Sequence, residues 1–140
     1  MQAFTACASA GMKLQPDRIA SANVIGGYTR DSVQVGERRW TESLLLPWRG
    51  EVRPWDGARF ERLGAGHFEA VAALEPELVL FGSGATLRFP RPEWLRPLVE
   101  RRIGVETMDT AAACRTYNLL VAEGRPVVAA LLVEPGGARP

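Results

Sequence analysis

Histidine, cysteine and lysine are the residues that this sequence has least of. Its 140 residues include one histidine, His67, two cysteines, Cys7 and Cys114, and a single lysine, Lys13, among 17 basic residues. Two cysteines far apart in the chain are too few for the disulfide framework of a small secreted domain, and a zinc centre would need an unusual set of ligands. The sequence therefore predicts a reducing, cytoplasmic location and no metal ion.

Long apolar runs and a large net charge are also absent. The longest apolar run, Pro126 to Val133, has the length of a β-strand and falls short of the roughly 20 residues that a membrane-spanning helix needs. A formal net charge of +1 creates no field that would draw the chain to nucleic acid or to an anionic membrane. Peripheral association with a membrane stays open, because it needs only a local patch.

The composition is that of a folded protein, and the length fits a single domain. Hydrophobic residues make up 46% of the chain and charged residues 24%, as in ordinary globular proteins. Residues 1–11 lack the basic start and the continuous apolar stretch of a signal peptide, so we expect a disordered extension or a misplaced start codon there. The predicted domain covers residues 12–134, and residues 135–140 are expected to form a flexible tail.

The first half of the chain is predicted to be rich in β-strand. Apolar residues around 24–28 and the alternation of Val33 and Val35 predict two strands, with Gly36 at the next turn and an extended segment over residues 38–46. This half is expected to form a β layer against which the second half packs.

The second half alternates strands and helices. Pro92 suits the first turn of its second helix, and Gly104 is placed to end that helix. Short links between the elements favour parallel strands joined by right-handed crossovers. The sequence thus predicts a mixed α/β fold, a compact three-layer β/β/α domain with a parallel βαβαβ C-terminal half. The predicted elements of this half are helices over residues 67–74, 93–102 and 110–123 and strands over residues 78–81, 105–108 and 126–133.

Chemistry is expected beyond the carboxyl ends of the parallel strands, where open sheets bind their ligands. Gly82, Ser83 and Gly84 follow the first of these strands, and Asp109 and Thr110 follow the second. The glycine loop either offers backbone N–H groups to an anion or forms a tight turn, and it lacks the Gly-Lys-Ser/Thr of a phosphate-binding loop. Asp109 is either a reactive carboxylate or the cap of the helix that follows.

The helix itself carries three further candidates. Cys114 lies within its first two turns, where the helix dipole lowers a thiol pKa, or it is a small buried residue with no base nearby. Arg115 and Asn118 share one helix face, and Arg115 either neutralises a nearby acidic residue or binds the carboxylate of a ligand or partner. The acidic residues concerned are Glu106, Asp109 and Glu123. The predicted ligand or partner cleft thus comprises Gly82, Ser83, Gly84, Glu106, Asp109, Thr110, Cys114, Arg115 and Asn118, with no catalytic triad and no cofactor.

One long segment of the second half is more distinctive than its parts. Residues 104–125, GVETMDTAAACRTYNLLVAEGR, resemble the Mth938-like family, long described as a domain of unknown function. Residues 77–84, ELVLFGSG, the Phe89-Pro90 pair and the segment 23–28 resemble the same family, so that the resemblance covers roughly residues 12–133. The resemblance implies a compact layered β/α domain with a mixed sheet.

The resemblance also implies a function exercised through protein partners. Mitochondrial members of this family help to assemble respiratory complex I, and no catalytic step is established for the family. A non-catalytic interaction protein is therefore expected, with complex I subunits or assembly proteins as partners and a homo-oligomer left open. The second hypothesis is a small-molecule or anion-binding domain or enzyme that uses the cleft, with Arg115 as anion clamp and Asp109 or Cys114 as reactive group.

Overall fold

The computed structural model describes residues 22–135. The expected extension at 1–11, the start of the domain at residue 12 and all but the first residue of the tail expected at 135–140 lie outside the described residues.

The first three strands form a small antiparallel sheet. Strand β1 (Ile25–Thr29) pairs with β2 (Ser32–Val35), which pairs with β3 (Arg38–Trp40). The alternation seen in the sequence places Val33 and Val35 in the core of the protein. The β-rich first half is thus confirmed.

A second, mixed sheet of five strands carries the rest of the fold. Its spatial order is β5-β4-β8-β6-β7, with β6 parallel to β7 and to β8, and with β4 antiparallel to β8. The parallel strands joined by helices confirm the predicted βαβαβ half. The strands are β4 (Leu44–Pro47), β5 (Arg53–Pro54), β6 (Leu78–Gly82), β7 (Gly104–Met108) and β8 (Val127–Leu131).

The predicted extended segment 38–46 is divided between the two sheets, because the chain leaves the small sheet after Trp40. The buried hydroxyl of Ser43 fixes this crossing. It donates a hydrogen bond of 2.8 Å to the carbonyl of Ala58 and accepts one of 3.0 Å from the amide of Val133. A polar residue inside an apolar pattern therefore marks the change of sheet.

Helices cover both faces of the mixed sheet. Helices α1 (Ala65–Ala72) and α2 (Arg96–Glu100) pack on one face, whereas α3 (Thr110–Ala122) shares the other face with the small sheet. Strand β6 serves both layers, since Leu80 points into the α3 side and Phe81 into the α1 side. The mixed α/β fold class is confirmed, with α3 lying in the layer of the small sheet.

Two predictions about the second helix were wrong in detail. The segment 93–102 is a 3₁₀ turn, Pro92–Leu95, followed by the short helix α2. Pro97 lies at its start and has no N–H to donate to the preceding turn. Gly104 opens β7 instead of ending the helix, and Arg102 takes the left-handed conformation there, with φ of 60°.

Candidate interaction site at the carboxyl edge of the sheet

A cleft lies beyond the carboxyl ends of β6 and β7, where the sequence predicts one. Its volume is about 280 Å³, and three segments enclose it. The β1–β2 hairpin contributes residues 28–30, the loop after β6 contributes Gly84 and Ala85, and the start of α3 contributes Thr110 and Ala111. Of the nine predicted site residues, Gly84 and Thr110 therefore line the cleft directly.

The glycine loop is a structural junction. The amide of Ser83 donates to the carbonyl of Met108 at 2.8 Å, and the amide of Gly84 donates to Oγ1 of Thr110 at 2.9 Å. At Gly82 a Cβ atom would stand only 3.0 Å from Cα of Thr110, so that helix and strand pack too closely for a side chain. The amides of Ser83 and Gly84 are already bonded within the fold and are not free for an anion.

Asp109 and Thr110, at the start of α3, are likewise bonded to backbone groups of the fold. Oγ1 of Thr110, besides accepting from Gly84, donates a buried hydrogen bond of 2.8 Å to the carbonyl of Leu132. The carboxylate of Asp109 accepts from the amide of Ala112 at 2.8 Å, which is the bond of an N-cap. Thr110, which follows β7, thus bonds to the segments that follow β6 and β8. Asp109 caps the start of the helix.

Cys114 and Asn118 turn away from the cleft. Burial raises the pKa of the Cys114 thiol to about 12, so the nucleophilic thiolate is disfavoured. The side-chain amide of Asn118 donates to the carbonyl of Ile25 at 2.7 Å, and its Oδ1 accepts from the amide of Ile25 at 2.9 Å. Asn118 therefore substitutes for a neighbouring strand along β1.

Arg115 and Glu106 are the exposed members of the predicted set. Nη1 of Arg115 donates to the hydroxyl of Tyr28 at 2.9 Å, a contact that raises the pKa of the guanidinium further. Within residues 22–135, Arg115 forms no ion pair with Glu106, Asp109 or Glu123. Arg115 thus stands at the rim of the cleft with its charge toward solvent, whereas Glu106 lies on the edge strand β7.

Sequence reasoning named Ser83 and Gly84 but missed the architecture of the whole loop that leaves β6, residues 83–91. The hydroxyl of Ser83 donates to the carbonyl of Thr86 at 2.8 Å and accepts from the amide of Arg88 at 2.9 Å. The guanidinium of Arg88 then returns to the carbonyl of Ser83, at 2.6 Å from Nη2 and 3.1 Å from Nε. The base of the loop is closed by these bonds.

Arg88 also fastens the loop to the rest of the fold. Its Nη2 atom pairs with Oε1 of Glu134 at 2.7 Å, and its guanidinium lies 4.5 Å from the centre of the Phe60 ring. Oε2 of Glu134 accepts from the amide of Phe60 at 2.8 Å. Arg88 therefore holds together the loop, the 3₁₀ turn Phe60–Arg62 and the segment that follows β8.

The residues on either side of Arg88 point outward. Leu87 is 53% exposed and Phe89 is 69% exposed, whereas Arg88 turns inward. The sequence signal for these exposed residues is the Phe89-Pro90 pair, which lies in a segment with several prolines. Apolar residues there follow neither helix nor strand periodicity, so no face of a helix or sheet buries them.

Residues 22–135 offer neither a membrane-spanning helix nor a cluster of metal ligands. No helix in this part of the chain is long and apolar enough to cross a membrane. Groups of three or more histidine, cysteine or acidic side chains able to hold a metal ion do not occur within the same range.

Comparison with known proteins finds relatives along nearly the whole described domain. A family described as "protein of unknown function (DUF498/DUF598)" matches residues 25–132. NADH dehydrogenase (ubiquinone) 1 alpha subcomplex assembly factor 3 of Bos taurus is 36% identical over 119 residues, which are 83% of this chain and 64% of that protein. An uncharacterised protein of Rhodobacter capsulatus is 44% identical over 119 residues, 84% of this chain and 90% of that one. The chain thus spans less than two thirds of the bovine relative.

Solved structures show the same fold. A Bordetella pertussis protein described as an Mth938-like domain superposes with a TM-score of 0.74 at 32% identity, over 87% of this chain and 92% of that one.

Proposed function

The chain belongs to the DUF498/DUF598 family and has the Mth938-like fold, and from this membership we propose that it is a non-catalytic interaction protein that assists the assembly of respiratory complex I. The observation that carries the proposal is the 36% identity to a complex I assembly factor over 119 residues. A cytoplasmic location, expected from the scarcity of cysteine, is part of the same proposal.

The contacts of the conspicuous polar residues support binding over chemistry. Thr110, Asn118 and Asp109 are engaged with backbone groups of their own chain. The thiol of Cys114 is buried, and burial raises its pKa. The small-molecule alternative named Asp109 and Cys114 as reactive groups, so it is not favoured.

The carboxyl edge of the mixed sheet is the surface that we assign to the partner. It combines the cleft, the exposed guanidinium of Arg115 and the loop that displays Leu87 and Phe89. Of the two exposed charged residues in the predicted set, Arg115 and Glu106, Arg115 is the one that contacts the cleft, through its hydrogen bond to Tyr28.

The test is a co-purification from the native cell with the full tagged chain. Complex I subunits or assembly proteins are expected with the wild type, and their yield is expected to fall in Arg115→Ala. Arg125→Ala is the matched control, since Arg125 is a partly exposed arginine, weakly paired with Glu77, that lies past the far end of α3. Deletion of the chain is expected to lower the amount of assembled complex I. Normal assembly in the deletion strain, together with no complex I component in the wild-type sample, would overturn the proposal.

A further inference from the structure

The loop after β6 carries three outward-facing residues, Leu87, Phe89 and Arg91, which we call the outward ridge. Packing within the fold does not account for their exposed position. Phe89 is the most exposed large apolar side chain among residues 22–135. Single exposed apolar residues are common in soluble proteins and by themselves indicate nothing. What distinguishes this ridge is the set of hydrogen bonds and the ion pair that Arg88 makes directly beneath it.

Those contacts make the ridge rigid. The inward residue Arg88 bonds to the carbonyl of Ser83, pairs with Glu134 and covers the ring of Phe60. At Gly84, where φ is +103°, a Cβ atom would stand 2.6 Å from the Arg88 guanidinium, so the loop closes tightly on that arginine. A loop fixed in advance loses little conformational entropy when it binds, which favours a docking element over a passive connection.

The charges around the ridge favour an acidic partner. The turn Phe60–Arg62 contacts the loop and packs on Trp94, so that turn and loop form one corner of the molecule. The weak pair Arg91–Glu93, at 3.9 Å and well exposed, leaves Arg91 available to another carboxylate. The charged residues of this corner are Arg59, Arg62, Arg88, Arg91 and Arg96 against Glu61, Glu93 and Glu134.

We infer that the outward ridge docks into an apolar pocket, rimmed by carboxylates, on an acidic protein surface. The inference rests on the proposed function and names the partner chemistry at the same edge of the sheet. Aromatic and arginine side chains dominate the binding energy of protein interfaces, and Phe89 with Arg91 supplies one of each. Complementary charge then adds specificity and speeds association.

A lipid surface fits these observations less well. Even a whole myristoyl chain gives only marginal membrane binding, and two side chains bury less apolar surface than that.

The experiment places a photoreactive benzophenone amino acid at position 89, in place of Phe89, in the full chain in its native cell. Irradiation is expected to link it to one protein, at a peptide in which apolar residues are flanked by Asp or Glu. The same amino acid in place of Leu119, which is similarly exposed on α3, is the control and is expected to give no such product.

The identified partner is then purified, and its affinity for folded variants is measured by titration calorimetry. Phe89→Ser is expected to weaken binding about 30-fold or more, and Arg91→Glu about tenfold. Leu119→Ser is expected to leave the affinity unchanged. Equal products from positions 89 and 119, a cross-linked peptide without acidic residues, or unchanged affinity of Phe89→Ser would each overturn the inference. Co-sedimentation of the wild type, but not of Phe89→Ser, with phosphatidylcholine vesicles containing phosphatidylserine would overturn it in favour of a membrane.

The two proposals can fail separately. A product from position 89 that meets the chemical description but is no complex I component would contradict the assembly role and leave the docking element standing. Complex I components that co-purify with the wild type and with Phe89→Ser alike would contradict the docking element and leave the assembly role standing.

Discussion

Helix α3 starts at the same edge of the mixed sheet as the loop after β6, yet helix and loop place their side chains in opposite ways. The helix turns polar groups inward, where Thr110, Tyr117 and Asn118 bond to backbone atoms. The loop turns Leu87 and Phe89 outward. The difference teaches that the most distinctive stretch of the sequence holds the fold together, while an inconspicuous loop displays apolar side chains that the fold does not bury.

The inward polar groups of α3 join parts of the chain that are far apart in sequence. The hydroxyl of Tyr117 lies 2.9 Å from the carbonyl of Asn23 and 3.0 Å from that of Pro47, and Asn118 bonds to both backbone groups of Ile25. These bonds fix the small sheet against the helix. The inward polar groups of the helix are therefore expected to govern stability, whereas the outward side chains of Arg115 and of the loop are expected to govern binding.

Among the polar groups of the carboxyl edge, removing the hydroxyl of Thr110 is expected to have the largest effect on stability. Thr110→Val keeps the shape of the side chain but leaves the buried amide of Gly84 and the carbonyl of Leu132 without their partner. Unsatisfied buried groups cost about 1–3 kcal/mol each, so we expect the free energy of unfolding to fall by about 3 kcal/mol in urea denaturation.

Thr110→Ser is the matched control. It keeps both hydrogen bonds and removes one buried methyl group, at a cost of about 1 kcal/mol. If Thr110→Val and Thr110→Ser unfold at the same urea concentration, the hydroxyl has no architectural role and the contrast between helix and loop loses its main support.

Cutting the loop from its anchor is expected to have the next largest effect. Arg88→Met removes the partner of Glu134, whose side chain is only 13% exposed, and the bonds to the carbonyl of Ser83. Hydrogen bonds to charged groups contribute about 1.5–3 kcal/mol, so a loss of about 2 kcal/mol is expected, with faster hydrogen exchange of the loop amides.

The control for Arg88→Met is Arg101→Met. Arg101 and Glu69 are 3.1 Å apart but about half exposed, so breaking this pair is expected to change stability by less than about 0.5 kcal/mol. Equal losses in the two variants would mean that the Arg88 cluster is an ordinary surface pair and that the ridge is not preorganised.

The stability at alkaline pH tests whether the Cys114 thiol of α3 is buried in the folded protein. Burial raises the pKa of this thiol from the ordinary 9.0 to about 12, so the unfolded chain loses its proton first as the pH rises. The stability from this group is therefore complete below pH 9 and is lost between pH 9 and 12, at up to about 1.4 kcal/mol per pH unit. Between pH 9 and 10 we expect the free energy of unfolding to fall by about 1 kcal/mol.

Cys114→Ala separates the thiol from other groups. Burial also raises the pKa of Tyr117, but its ordinary value of 10.0 is higher, so the thiol dominates between pH 9 and 10. The variant is expected to be less stable at neutral pH and to lack the decline in this interval. The same slope in both proteins would show that Cys114 does not titrate on unfolding.

The fold was predictable from sequence because its signals are local. The apolar run at residues 78–81, the cap at Asp109 and Gly124 after the helix each fix one boundary without help from distant residues. The break at Ser43 between the two sheets was not predictable, because it depends on backbone groups at Ala58 and Val133.

The candidate site was predictable in place but not in role. The carboxyl edge follows from parallel topology, and a cleft does lie there. Sequence patterns do not show whether Thr110 or Asn118 faces a ligand or a backbone group of another segment. The inward turn of Arg88 depends on Glu134, which is 46 residues away, so the local sequence around Phe89-Pro90 can indicate exposed apolar residues but not the anchor that holds them outward.

Phe89 is the residue whose substitution is expected to change stability least and binding most. Phe89→Ser removes a ring that is 69% exposed and contributes little to the folded state, so the free energy of unfolding is expected to stay within about 0.5 kcal/mol of the wild type. Phe68→Ser gives the opposite extreme, since that ring is fully buried beside Trp55 and Phe81, and its loss is expected to cost more than about 3 kcal/mol. A large loss of stability in Phe89→Ser would mean that the ring packs within the fold, and the loop would then be architecture like the helix. An unchanged stability leaves the exposed ring without a structural role, which is the condition that a docking residue must meet.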